Sequence, residues 1–237
     1  MTEELLILSL SAVSIAFFHT LLGPDHYLPF VMMAKAKKWS ILKTVGITFL
    51  CGAGHVASSL ILGGAGIALG LAATALDIVE SARGEIAAWA LIAFGMAYFI
   101  WGLKKALKNR PHSHWHNHGN GATHRHEHVH KTDHSHLHEE SGEKSMTPWI
   151  LFVIFILGPC ELLIPLLMYP AATNSLFEVI WVSSIFCVVT IATMLLVVTT
   201  LLLGINKLRF GRFEKFSHSI AGATICVSGM AIYFLGL

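Results

Sequence analysis

Ionisable side chains are scarce in the long apolar stretches of this 237-residue chain, and those that occur are grouped. His19, Asp25 and His26 stand around Gly23-Pro24 at the end of the first stretch. His55 lies in the second, Cys160 and Glu161 adjoin Gly158-Pro159 in a later one, and His218 opens the last. Such residues are expensive in an apolar medium and mark functional sites by default. Imidazole, carboxylate and thiolate together favour a transition metal over Mg²⁺ or Ca²⁺. His19 and His26 are seven residues apart, about two helical turns, and share a face if the helix persists. The Gly-Pro break instead lets Asp25 and His26 turn inward, where an Asp either ligates directly or orients an imidazole. His55 closes the run Cys51-Gly52-Ala53-Gly54-His55, whose small residues admit a second helix at close range. The expected metal set is His19, Asp25, His26, His55, Glu161 and Cys160. A packing role competes for His55, and His218, beside Arg212 and Lys215, reads as interfacial.

A second group of histidines has a different character. Eleven of the fifteen fall between His112 and His138: His112, His114, His116, His118, His124, His126, His128, His130, His134, His136 and His138. Many alternate with polar residues. The segment has no apolar periodicity and is expected to be disordered in isolation. Dense neutral imidazole binds Ni²⁺, Co²⁺, Zn²⁺ or Cu²⁺, and protons compete as pH falls through about 6.5.

The elements that must position these groups follow from composition. Hydrophobic residues make up 54% and charged residues 13%, against about 25% charged in an average soluble domain. A soluble enzyme cannot hide that much apolar surface, and no enzymatic activity is expected. The formal charge of +2 gives no sign of a nucleic-acid partner. The four cysteines, Cys51, Cys160, Cys187 and Cys226, lie in apolar stretches, which excludes a disulfide-stapled fold. The chain reads as an all-α polytopic membrane protein in a lipid bilayer. Six segments are long enough to cross about 30 Å of hydrocarbon: 5–24, 44–76, 86–103, 148–172, 179–206 and 216–237, of which only 148–172 holds a charge, Glu161. The first lacks the basic start and small-residue cleavage site of a signal peptide. Fifteen of the sixteen Lys and Arg fall in the first, third and fifth connections, and Arg83 alone falls in the second. The positive-inside rule then makes those connections cytoplasmic, including the His-rich loop, with both termini outside. A bacterial inner membrane is the expected location.

Two phrases repeat. Leu22-Gly23-Pro24-Asp25-His26 matches Leu157-Gly158-Pro159-Cys160-Glu161 at an offset of 135 residues. Gly95-Met96-Ala97 matches Gly229-Met230-Ala231, and Gly102-Leu103 matches Gly236-Leu237, at an offset of 134. The expected organisation is a first three-helix repeat over 1–108, the His-rich loop over 109–147, and a second repeat over 148–237. An odd number of spans inverts the second copy, which is a transporter architecture with its site at interrupted helices near the midplane. Glu161 and Cys160 enter the metal set through this repeat. No Gly-x-x-x-x-Gly-Lys-Ser/Thr run is present, so no ATP site is expected.

His19-Thr20-Leu21-Leu22-Gly23-Pro24-Asp25-His26, followed by Gly52-Ala53-Gly54-His55 in the next span, resembles the NicO-type nickel/cobalt transporter family. That family's hallmark is a His, a short spacer and Asp-His in one helix, then Gly-His in the next. The resemblance is clearest over residues 15–65. It implies metal-binding or transport roles for His19, Asp25, His26 and His55. The chain departs from the best-known nickel permeases in having five residues, not four, between His and Asp-His, and fewer spans. The expected function is transport of Ni²⁺ or Co²⁺, with Zn²⁺ allowed by imidazole chemistry, through alternating access. Three alternatives stand beside it: export of an organic or sulfur-containing anion, thiol–disulfide electron transfer, and a metal-sensing accessory role. Metal identity, direction, coupling ion and oligomeric state are left open by the sequence.

Overall fold

A computed structural model describes residues 3–70, 73–108, 112–117, 123–128, 146–158, 160, 162–173, 175–207 and 211–235. Its packed body is all-helical. The helices are α1 (Glu3–Leu22), α2 (Leu28–Lys37), α3 (Ile41–Ala68), α4 (Ala73–Lys108), α5 (Thr147–Leu157), α6 (Leu163–Ala172), α7 (Leu176–Lys207) and α8 (Ser217–Leu235). Five of them, α1, α3, α4, α7 and α8, are long and apolar enough to cross a membrane. Their outer faces carry exposed Ile7, Leu10, Leu42, Leu196 and Phe234. A soluble protein would bury an apolar surface of this extent.

Helix boundaries follow local chemistry. Gly23 N donates to His19 O at 3.0 Å as α1 ends. Pro24 has no N–H to continue the ladder, and Pro24–His26 form a single 3-10 turn. Lys38, with φ 53°, closes α2 in the left-handed region. Ser40 then starts α3, its Oγ accepting from Lys43 N at 3.2 Å. The segment expected as one span over 148–172 is divided instead. Its halves α5 and α6 have 11 and 10 residues, each about half of what a crossing requires.

A second difference concerns α4. The sequence placed Arg83 in a connection between spans, but α4 begins at Ala73, so Arg83 and its neighbour Glu80 stand on helix. At 36 residues this helix is about 54 Å long and outlasts any bilayer core.

Two apolar clusters form the core. One gathers Phe30, Met33, Phe155, Met194 and Ile225, joining α2, α5, α7 and α8. The other gathers Ala12, Ala16, Cys160, Leu163 and Phe186, joining α1, α6 and α7. The closest helix approach is between α4 and α8. A Cβ on Gly95 would meet the backbone of Cys226 and Gly222, and one on Gly229 would lie 2.9 Å from Ala88 O. Only glycine permits such backbone contact. Apart from the helices, His112–Asn117 (β1) and Thr123–His128 (β2) pair as an antiparallel ribbon, with His112 opposite His128 and His116 opposite His124. The sequence reading gave this segment no regular structure. The ribbon uses its period-two alternation, but an isolated pair of strands is marginal in water and adds little to the fold.

Candidate metal centre

The break after α1 and the middle of α3 bring three imidazoles together. One ring nitrogen from each of His19, His26 and His55 lies within 4.8 Å of the others. The ring centroids of His19 and His26 are 4.9 Å apart, and those of His26 and His55 are 5.3 Å apart. His26 and His55 are buried. His19 comes from the last turn of α1, His26 from the 3-10 turn, and His55 from α3.

Hydrogen bonds decide which nitrogens face the centre. His26 Nδ1 is 3.1 Å from Asp25 Oδ1 and 3.2 Å from Gly23 O. Both partners only accept, so Nδ1 carries the proton and donates. His55 Nδ1 donates in the same way to Phe155 O at 3.2 Å. In each ring Nε2 is left with its lone pair. His26 Nε2, His55 Nε2 and His19 Nε2 are all buried with no hydrogen-bond partner among the described residues. Leaving a buried polar atom unpaired costs roughly 1–3 kcal/mol, and here three are left so in one place. This is the donor pattern of metal-ligating histidine, whose other nitrogen is held by a carboxylate or carbonyl. A tetrahedral ion with bonds of about 2.0–2.1 Å would set its nitrogens about 3.3 Å apart, a spacing within the bound of 4.8 Å that the three rings meet.

Asp25 therefore sits behind His26 as an orienting group. The centre opens on a cavity of about 550 Å³, whose lining includes the three histidines, Asp25, Glu85 and Tyr233. Glu85 was not singled out from sequence. Nothing in its spacing marked it, because only the course of α4 carries it to this cavity.

The second Gly-Pro break does different work. Cys160 is fully buried beside Leu163 and Phe186 in the apolar cluster, and the structure does not bring its thiol into the histidine group. Glu161 lies outside the described residues, as do His118, His130, His134, His136 and His138. Of His112, His114, His116, His124, His126 and His128 the backbone alone is described. What the second break supplies is backbone. Pro159 has no N–H, so it cannot donate to Phe155 O four residues earlier, and that oxygen accepts from His55 Nδ1 at 3.2 Å and from Gly158 N at 3.1 Å. Ile156 O would ordinarily accept from Cys160 N. Instead Cys160 N donates to Glu80 Oε2 at 3.1 Å, and Ile156 O accepts from Arg83 Nη2 at 2.8 Å. Arg83 also donates to Gly158 O at 3.3 Å and Ser58 Oγ at 2.8 Å, and it pairs with fully buried Glu80. Sequence reasoning missed this pair. A Glu–Arg spacing of three, at Glu80 and Arg83, was the available signal.

His218 is placed away from the centre, with Nδ1 2.7 Å from Tyr98 Oη and its ring against Trp101. The cysteines are free; Cys51 and Cys226 are buried and Cys187 is half-buried.

No protein-family model matches the chain, and neither a curated protein nor a solved structure does.

Proposed function

We propose that this protein carries divalent transition-metal ions across a membrane, with Ni²⁺ or Co²⁺ as the foremost cargo. One observation carries the reading: three imidazoles that gather ring nitrogens within 4.8 Å at the wall of a cavity each have a buried Nε2 with no partner among the described residues, two of them with the tautomer held by Nδ1–H donation. Neutral imidazole suits Ni²⁺, Co²⁺ and Zn²⁺, and the likeness of His19 to His26 and of Gly54-His55 to the nickel/cobalt transporters favours the first two. Three neutral ligands, with water completing the shell, hold an ion firmly enough to desolvate it in part. They also release it when the rings part.

The architecture in this reading is six crossings in two inverted repeats, with α5 and α6 end to end as one interrupted crossing. Pairwise packing supports it. The contact of Gly95 with Gly222, displaced by 134 residues in each chain position, becomes the contact of Gly229 with Ala88, and both are present. Likewise α1 packs on α7 as α5 packs on α3. Alternating access would rock one repeat against the other. The charge asymmetry puts the His-rich loop in the cytoplasm and the termini outside, in a bacterial inner membrane. There the loop collects or hands over the ion.

An anion exporter would need a cation directed at the cavity. Arg83 is committed to Glu80, Ser58 and two carbonyls, which favours the cation reading. The test is reconstitution in liposomes that enclose a metal-responsive dye, with Ni²⁺, Co²⁺ and Zn²⁺ offered separately. Flux that requires His26 supports the proposal. Absence of flux for all three ions, under gradients of either sign and with an imposed proton gradient, overturns it.

A further inference from the structure

The end of the bundle that carries α2's C-terminus and α8's N-terminus holds a second cavity, of about 450 Å³. Four lysines line it from three separate elements: Lys35 and Lys38 at the end of α2, Lys105 on α4, and Lys215 on the 3-10 turn Gly211–Phe216. A single carboxylate, Glu214, lines it with them, and lies 3.9 Å from Lys38 with both side chains exposed. The remaining wall is largely apolar, with Met32, Ala106, Ile205 and Ile220.

Lys105 is held in place. Its ammonium stands 5.0 Å from the Trp101 ring centroid and donates to His218 Nε2 at 3.5 Å, which leaves His218 Nδ1 to donate to Tyr98 Oη. An ammonium has three donors, and this contact uses one. Crowding of like charge extends beyond the cavity: burial, then Lys43 and Lys105, hold the Lys37 ammonium below its ordinary range. Cations that merely follow the positive-inside rule spread over a surface. These converge on one concavity that also has an apolar wall, lined by the ends of α4, α7 and α8, which are long enough to cross a membrane, together with the end of α2.

We infer that this cavity is a binding site for the phosphate headgroup of an anionic phospholipid, with Lys35, Lys105 and Lys215 on the phosphate and the Met32–Ile205–Ile220 wall against the first part of an acyl chain. Basic pockets between membrane helices take such headgroups, and each lysine near an anionic surface is worth roughly fivefold in binding. The inference rests on the membrane-spanning fold and not on the metal centre.

Native mass spectrometry of the purified full chain tests it, with phosphatidylglycerol, phosphatidylcholine or inorganic phosphate added in turn. Phosphatidylglycerol is expected to bind the wild type, with affinity lost by about 100-fold in Lys35→Gln/Lys105→Gln/Lys215→Gln. Phosphatidylcholine should bind weakly to both. The single variants Lys105→Gln and Lys215→Gln, each expected to lose about fivefold, keep the test open if the triple variant does not fold. The control Lys104→Gln/Lys108→Gln removes charge from the same helix end outside the cavity and is expected to bind like wild type. An equal loss in that control would show diffuse attraction and overturn the site. So would unchanged binding in the pocket variants. Saturable binding of inorganic phosphate that displaces phosphatidylglycerol would overturn the lipid assignment in favour of a soluble anion.

Discussion

The two Gly-Pro breaks share a sequence phrase and do opposite jobs. The first, at Gly23-Pro24, ends α1 so that side chains turn inward: the His26 ring joins His19 and His55, and Asp25 accepts from its Nδ1. The second, at Gly158-Pro159, contributes no side chain to the centre among the described residues. Its freed carbonyls become acceptors, Phe155 O for His55 and Ile156 O for Arg83, while its amide at Cys160 goes to Glu80. A proline break always leaves backbone groups to be satisfied at membrane depth. The first break fills that need locally and turns its side chains toward the other two histidines. The other uses it to hold the His55 ring and to lock α4 against α3 and α5.

Substitutions separate the two jobs. The largest effect is expected at the second break, on stability. Arg83→Ala takes the guanidinium from a buried Glu80 carboxylate, which costs about 3–5 kcal/mol. Unfolding of the detergent-solubilised protein measures it, and Arg83→Met combined with Glu80→Leu should recover much of the loss. If Arg83→Ala unfolds like wild type, the lock is not structural.

At the first break the loss should fall on metal instead. His26→Ala removes a ligand and is expected to lower ion flux on the order of 100-fold or more with the fold intact. Wild-type flux in this variant would remove the centre from the pathway. Asp25→Asn keeps an acceptor for His26 but weakens the orienting bond. Equilibrium metal binding should fall by about tenfold, within the range seen when a partner behind a metal-bound histidine is changed. A loss as large as that of His26→Ala would make Asp25 a ligand in its own right.

Gly158→Ala sharpens the comparison further. Its Cβ would stand 3.2 Å from both His55 Nδ1 and Phe155 O, so it crowds the bond by which the second break holds His55. A few-fold weakening of metal binding with little loss of stability is the expected result.

The smallest effect on the core is expected from deleting residues 112–138. Flux through the bundle should persist, whereas metal held by the loop, measured on the isolated segment, should weaken below about pH 6.5 as its imidazoles protonate. If flux vanishes with the loop, transport does not reside in the helices alone.

The sequence by itself marked the long apolar helices and, among a larger set of residues, the three histidines that the fold brings together. Apolar length and sparse charge require membrane-crossing helices, because no other arrangement buries so much apolar surface and satisfies its backbone in lipid. The cost of an imidazole in such a helix singled out His19, His26 and His55. Periodicity and composition, however, act along the chain, and they say nothing about which helices lie side by side. They therefore could not show that Arg83 of α4 reaches the carbonyls of Ile156 and Gly158 and Glu80 the amide of Cys160, or that Glu85 lines the histidines' cavity. Nor could they tell that Cys160, aligned with Asp25 in the repeated phrase, would give its amide and keep its thiol in the apolar core. Only packing decided those points. A break in a helix frees donors and acceptors in fixed number, and which neighbour satisfies each one depends on the three-dimensional approach of α3, α4 and α5.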